Sequence, residues 1–176
     1  MNDNTEYIIR EETENDYTEI YRLIQTAFET AEVKDGDEQD YAVQLRESEN
    51  YIPALALVAE KGGKLMGHIM FTRIFIQQDN GDKMKVLLVS PLSVLLEYRN
   101  KGIGAALMKE GLKIATRLGY KAAFLCGNPD YYTRLGYNQI SDVSFWYNNQ
   151  QIPEQYVLCY ELEKNILSGI KGRIDT

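Results

Sequence analysis

The sequence predicts an α/β (α+β) fold, with a mixed, mostly antiparallel central sheet flanked by helices. Three observations carry this. Two turns, Lys61-Gly62-Gly63 and Asp79-Asn80-Gly81-Asp82, separate three β-prone runs. Gly-Gly and Asn-Gly are hairpin signals, so the runs form an antiparallel meander. After the third run the apolar period changes from about 2 to about 3.6, which marks a long helix. Another apolar run follows that helix, and a helix bridging two strands predicts a parallel pair with a right-handed crossover.

In chain order, residues 6–10 read as a short first strand. Thr13 is placed to cap the next element, where Tyr17, Ile20, Tyr21, Ile24, Ala27 and Phe28 recur at helical spacing up to Glu29. The acidic stretch 32–40 is expected as a loop and 41–47 as a short second helix, with Pro53 limiting any continuation. The meander comprises 54–60, 64–76 and 83–94. The long helix, 101–118, sets Ile103, Leu107, Ile114 and Leu118 on one face and Lys109, Lys113, Thr116 and Arg117 on the other. Gly119 is placed to end it. Strands follow at 121–126 and 156–162; no element is assigned to 165–176. With 176 residues and no internal repeat, low-complexity tract or linker, the expectation is a single domain, 1–176.

No apolar run approaches the roughly 20 residues that cross a bilayer, and Met1-Asn2-Asp3-Asn4-Thr5-Glu6 lacks the pattern of a signal peptide. A cytoplasmic location, with no membrane partner, is expected. Cys126 and Cys159 both sit in apolar runs and are expected as buried free thiols. One histidine and no paired ligand spacing argue against a metal site. The net charge of −7 argues against a general nucleic-acid binder, while an acidic surface attracts cationic substrates such as amines.

The functional argument rests on the turn Arg99-Asn100-Lys101-Gly102-Ile103-Gly104 at the start of the long helix. Backbone N–H groups at a helix N-terminus are unpaired, and the helix dipole adds positive potential there. Glycines admit a ligand close to that backbone, so the turn is a candidate pyrophosphate cradle, although Gly-x-Gly before a helix is also a plain tight turn. A P-loop needs Gly-Lys-Ser/Thr, but Gly104 is followed by Ala105-Ala106. A Rossmann fingerprint needs a third small residue where this chain has Leu107, and an acid where the next strand ends Cys126-Gly127-Asn128.

Arg99-x-x-Gly102-x-Gly104 resembles the acetyl-CoA loop, Gln/Arg-x-x-Gly-x-Gly/Ala, of the GNAT superfamily of N-acetyltransferases. Asn128, Tyr132 and Gly136-Tyr137 follow in the family's order, Leu92-Ser93-Val94 matches its upstream strand, and Gly67-His68-Ile69 looks like its third strand. Gly127-Asn128-Pro129-x-Tyr131-Tyr132 is closest to a bacterial subgroup of the YhbS type. The chain departs from many members in having Leu96 for a Pro and a shorter gap between Asn128 and Tyr132.

The resemblance implies a GNAT-like sheet with splayed central strands and an enzyme that moves acetyl from acetyl-CoA, its co-substrate, to a primary amine of a small molecule or peptide. It implies pantetheine along the backbone of Leu92 and Val94, with Pro91 suiting interrupted pairing. It implies pyrophosphate on Arg99, Asn100, Lys101, Gly102, Ile103 and Gly104, with Arg99 and Lys101 adding charge, and a cofactor contact at Asn128. Val94 N–H would donate to the thioester carbonyl. Tyr132 would give the thiolate its proton as general acid, with Tyr131, about 100° away on a helix, as the substitute. For the base, Glu60 is the best carboxylate, against a surface salt bridge. His68 titrates in the useful range, against a packed strand histidine. Water relaying to bulk is a third route. Glu29, Glu32, Asp35 and Asp37 are expected either to attract a cationic substrate or to be solvated. Phe145-Trp146-Tyr147 is left open between an acceptor pocket, a homodimer contact and core packing. The competing function is a CoA-binding sensor or interaction module without turnover.

Overall fold

The computed structural model describes residues 6–31 and 36–176. Met1 to Thr5, and Glu32 and Asp35 among the acidic residues named above, lie outside the described residues. The chain falls into two compact units, one of residues up to 71 with 90–114, the other of 72–89 with 115–176.

The first unit begins with β1 (Ile8–Glu11) and a 3-10 turn (Glu14–Asp16) whose Asp16 carboxylate accepts from the backbone N–H and hydroxyl of Thr13. Then come α1 (Tyr17–Glu29), α2 (Glu38–Glu47), β2 (Ala56–Lys61) and the first part of β3 (Lys64–Gln78). The last residues of β4 (Lys83–Val94), a 3-10 turn (Leu96–Tyr98) and most of α3 (Ile103–Arg117) complete it. β1 pairs antiparallel with β2, and β2 with β3. The apolar stripe of α1, Ile20, Leu23 and Ile24, packs with Ala42, Val58 and Leu65. Val58 is the cross-strand partner of His68, so His68 shares the sheet face that α1 and α2 cover.

The other face of β3 carries α3, and two glycines set how closely. A Cβ on Gly67 would lie 3.0 Å from Leu107 Cδ1 and 3.2 Å from Ile103 Cγ2, and one on Gly111 would lie 2.2 Å from Phe71 Cε2. The Gly111 contact leaves no room for a methyl and the Gly67 contacts would need their neighbours to give by a few tenths of an ångström, so the two glycines set how closely α3 lies on β3.

The second unit contains the remaining parts of β3 and β4, with β5 (Ala122–Cys126), α4 (Pro129–Tyr132), β6 (Asn138–Gln139), β7 (Val143–Tyr147), β8 (Gln150–Gln151), β9 (Val157–Glu161) and β10 (Gly172–Asp175). The strand order is β6-β9-β5-β4-β3-β10-β7-β8. β4 and β5 are parallel, pairing Leu87 with Ala123 and Leu88 with Phe124, as the helix between them predicts. β5 and β9 are antiparallel. Ile74, Ile76, Val86, Leu88, Phe124, Phe145 and Ile174 belong to one buried core.

Several expectations are corrected. α2 starts at Glu38, inside the stretch expected as loop. β7 and β10 arise where no strand was assigned; β10 has one buried apolar residue, Ile174, and its identity comes from parallel pairing with β7 and antiparallel pairing with β3. Phe145 is core, while Trp146 lies under the Arg173 guanidinium at 4.0 Å. Cys159 is buried, but Cys126 is exposed because it ends its strand.

Candidate functional site

The loop ahead of α3 is built by left-handed backbone. After the 3-10 turn, Asn100 has φ 59° and Gly102 has φ 81°. Asn tolerates this region, and a glycine is needed at 102 for conformation alone, because a Cβ there would meet nothing within 4 Å. The helix ladder opens with Ala106 N–H donating to Gly102 O at 2.9 Å. The N–H groups of Ile103, Gly104 and Ala105 therefore precede the first intrahelical donor and point out of the helix end. Gly102 is exposed, whereas Ile103 and Gly104 are buried against the sheet. Lys101 Nζ stands 5.7 Å from the Tyr98 ring centroid and Lys64 Nζ 5.3 Å from it, with Lys64 also paired to Glu97 at 2.5 Å. The loop thus offers convergent backbone donors beside cationic side chains, the chemistry that holds a phosphate.

Arg99 occupies itself differently from Lys101. Its Nε donates to Val94 O (3.1 Å), Nη2 to Ala27 O (2.5 Å) and Nη1 to the Thr30 hydroxyl (3.1 Å). Its backbone N–H donates to Leu96 O. Arg99 braces the C-terminus of α1 against the end of β4. Val94 is half-buried, like Leu92, and its carbonyl is held by this brace. The Ser90–Pro91 peptide just upstream is cis.

In the second unit, Asn128 caps α4: its side-chain oxygen accepts from Asp130 N–H at 2.9 Å, and its carbonyl accepts from Tyr131 and Tyr132 N–H. Tyr131 is exposed and Tyr132 half-buried. The Tyr132 ring makes edge contacts with Tyr131 (4.9 Å between centroids) and Tyr137 (6.0 Å), and Tyr137 packs on Tyr160. Burial, with a smaller effect of Tyr131, pushes the Tyr132 hydroxyl up to about 12, so it stays protonated at neutral pH.

The two base candidates sit in different surroundings. Glu60 accepts from Arg10 Nε at 2.7 Å, and Arg10 also binds Asp16. Its carboxylate is engaged in a three-residue ion-pair group that ties β1, β2 and the turn after β1. His68 is fully buried, with Nε2 at 2.8 Å from Glu12 Oε2. Glu12 also accepts from Arg46 Nε (2.7 Å) and Nη2 (3.0 Å) and from the Tyr51 hydroxyl (2.8 Å). Burial alone would raise the Glu12 carboxyl; the hydrogen bonds from His68 and Arg46 outweigh it and hold the group down at about 2. Glu12 and Arg46 escaped the sequence reading, because their partners lie 34 to 56 residues away and no local spacing signals them. Among the described residues, no group of three His, Cys, Asp or Glu is arranged to hold a metal ion.

The model of the acetyltransferase (GNAT) domain matches residues 8–140, and the chain belongs to this family. Its relatives include the uncharacterized N-acetyltransferase YjhQ of Escherichia coli strain K12, 31% identical over 126 residues, which are 72% of this chain and 69% of that protein. Among solved structures, the GNAT family N-acetyltransferase YhbS from Escherichia coli, in complex with CoA, matches with TM-score 0.83 at 26% identity, covering 96% of this chain and 88% of that one. A GNAT family acetyltransferase from Brucella melitensis, in complex with acetyl-CoA, matches with TM-score 0.78 at 25% identity, over 96% and 94%. The fold is that of the GNAT family.

Proposed function

We propose that this chain acts as one transferase domain that moves an acetyl group from acetyl-CoA to a primary amine of a small molecule or peptide. The observation that carries the reading is the loop at residues 99–104. Its left-handed residues turn the first N–H groups of α3 outward beside Lys101, in a chain of the GNAT family. The CoA and acetyl-CoA complexes of the two structural relatives support the same co-substrate here.

In this reading the pyrophosphate sits on the N–H groups at the start of α3, with charge from Lys101. Arg99 acts by bracing the loop. Pantetheine follows the backbone of Leu92 and Val94, and Val94 N–H donates to the thioester oxygen as negative charge develops there. The neutral amine attacks the carbonyl carbon, the C–N bond forms and the C–S bond breaks. Tyr132, protonated at neutral pH, gives the departing thiolate its proton. Asn128 serves by capping the short helix that carries Tyr132. The acidic surface favours a cationic acceptor over nucleic acid. No described helix is long and apolar enough to cross a membrane, and the two free cysteines fit the reducing cytoplasm as the place of reaction.

The test is to incubate the protein with acetyl-CoA and a panel of primary amines and follow free thiol. Amine-dependent thiol release supports transfer. CoA binding without release from any amine would instead favour a sensor or interaction module on the same fold.

A further inference from the structure

We infer that His68, with Ser93 in front of it and Glu12 behind it, is the route by which the acceptor's ammonium loses its proton; this rests on the transfer reading above. Glu12 is ionised and accepts only, so His68 Nε2 must carry the N–H that meets it. With Nε2 engaged by Glu12, Nδ1 is the ring nitrogen left to meet a proton. That atom is buried and has no hydrogen-bond partner among the described residues. Buried polar groups are rarely left so.

A second buried atom without a partner is Ser93 Oγ. β3 and β4 are neighbouring strands, and Leu95 N–H donates to Met66 O at 3.0 Å. Counting two residues along each antiparallel strand sets His68 opposite Ser93, and directly opposed residues have Cβ atoms about 4.5–5.5 Å apart. Ser93 lies between Leu92 and Val94, the backbone assigned to pantetheine and the thioester. β4 itself carries no acidic residue, and Glu60 is engaged by Arg10. The two unpartnered atoms do not bond each other in this structure; they stand at opposed positions of β3 and β4 beside the proposed thioester position, and a turn of the Ser93 side chain toward the ring joins them into a path to a histidine backed by a carboxylate.

The proton balance is simple. One ammonium proton passes through the Ser93 hydroxyl to His68 Nδ1, and Glu12 stabilises the imidazolium from the other side, as a carboxylate does behind a catalytic imidazole. Tyr132 supplies one proton to the thiolate, and the second N–H proton, released as the amide forms, passes to the resulting tyrosinate and restores Tyr132. His68 then returns its proton to solvent by the same path. Glu12 is a positioning residue; Arg46, lying 4.0 Å over the Tyr17 ring, and Tyr51 hold it in place.

The chain has one histidine, so nitrogen-15 spectra of the labelled ring need no assignment. The expected spectrum shows the proton on Nε2 and a bare Nδ1 at neutral pH, with Ser93→Ala shifting the Nδ1 signal most. In thiol release from acetyl-CoA with primary alkylamines, His68→Gln should be slower by about 10²-fold or more, with CoA affinity unchanged. That deficit should shrink as rising pH deprotonates the amine in solution. A proton found on Nδ1, a ring doubly protonated at the assay pH, or a deficit constant with pH overturns the relay alone. Wild-type protein that binds CoA yet acetylates no amine overturns the transfer reading and the relay with it.

Discussion

Tyr132 fills the space that a side chain at residue 127 would need: a Cβ on Gly127 would lie 2.6 Å from Tyr132 Cε2 and 3.2 Å from its Cδ2. The ring is held from the other sides by Tyr131 and Tyr137, so it has little room to yield. Gly127→Ala should displace the hydroxyl and lower kcat by about 10-fold to 10²-fold, leaving CoA affinity near wild type. Tyr132→Phe should lower kcat by about 10²-fold or more. Steady-state kinetics with calorimetric CoA binding checks both. Equal kcat in all three proteins would remove Tyr132 from the reaction.

The hydroxyl's pH behaviour gives a separate expectation. Because its pKa is raised to about 12, Tyr132 remains a proton donor through the neutral and mildly alkaline range. The kcat profile of the wild type should show no falling limb from this group below pH ~11. A falling limb at lower pH that disappears in Tyr132→Phe would contradict the assignment.

Gly111 tests how α3 is seated. A Cβ there would lie 2.2 Å from Phe71 Cε2, and Phe71 is fully buried. Alanine gains up to about 1 kcal/mol in helix propensity, but overpacking costs about 1–3 kcal/mol. Net destabilisation of about 1–2 kcal/mol is expected for Gly111→Ala by urea unfolding. Phe71→Leu in the same chain should restore part of it, with a coupling of about 0.5 kcal/mol or more.

Glu12 makes stability acid-sensitive. Its folded pKa of about 2 lies below the ordinary 4.5. The carboxylate therefore contributes stability that is complete above the unfolded value and is lost as pH falls through the folded one. That contribution is on the order of 3 kcal/mol at neutral pH. Glu12→Gln should flatten the loss between pH 4.5 and 2 and, by leaving Arg46 buried without its counter-charge, cost about 3–5 kcal/mol at neutral pH. Urea midpoints across that range check it. An unchanged acid limb in the variant would show that other carboxylates, such as Asp16 beside Arg10, dominate.

The parts of this molecule that were legible in the sequence are those fixed by local signals. Gly62-Gly63, Asn80-Gly81 and Gly119 mark turns that the structure places where they were expected, each glycine with positive φ. The period change located α3 to within two residues at its start. The loop residues were legible because a left-handed turn needs Gly102 whatever surrounds it. Strand β10 was not, because a run with one apolar residue becomes a strand only through its neighbours. The bonds from Arg99 to α1 and the Glu12–His68–Arg46 cluster join residues 34 to 72 positions apart. Local spacing gives no hint of such pairings, so neither the Arg99 brace nor the support that Glu12 and Arg46 give His68 is legible before the chain folds.

The loop itself is tested most directly by calorimetric titration of CoA into the wild-type protein and into Gly102→Val. Valine at a φ of 81° is strained by about 1–3 kcal/mol, and that strain falls on the turn that presents the α3 N–H groups. The expected result is saturable one-to-one binding by the wild type, weakened about 10-fold or more in the variant while both remain folded. No heat of binding from the folded wild-type protein would contradict the assignment of this loop as an acetyl-CoA site.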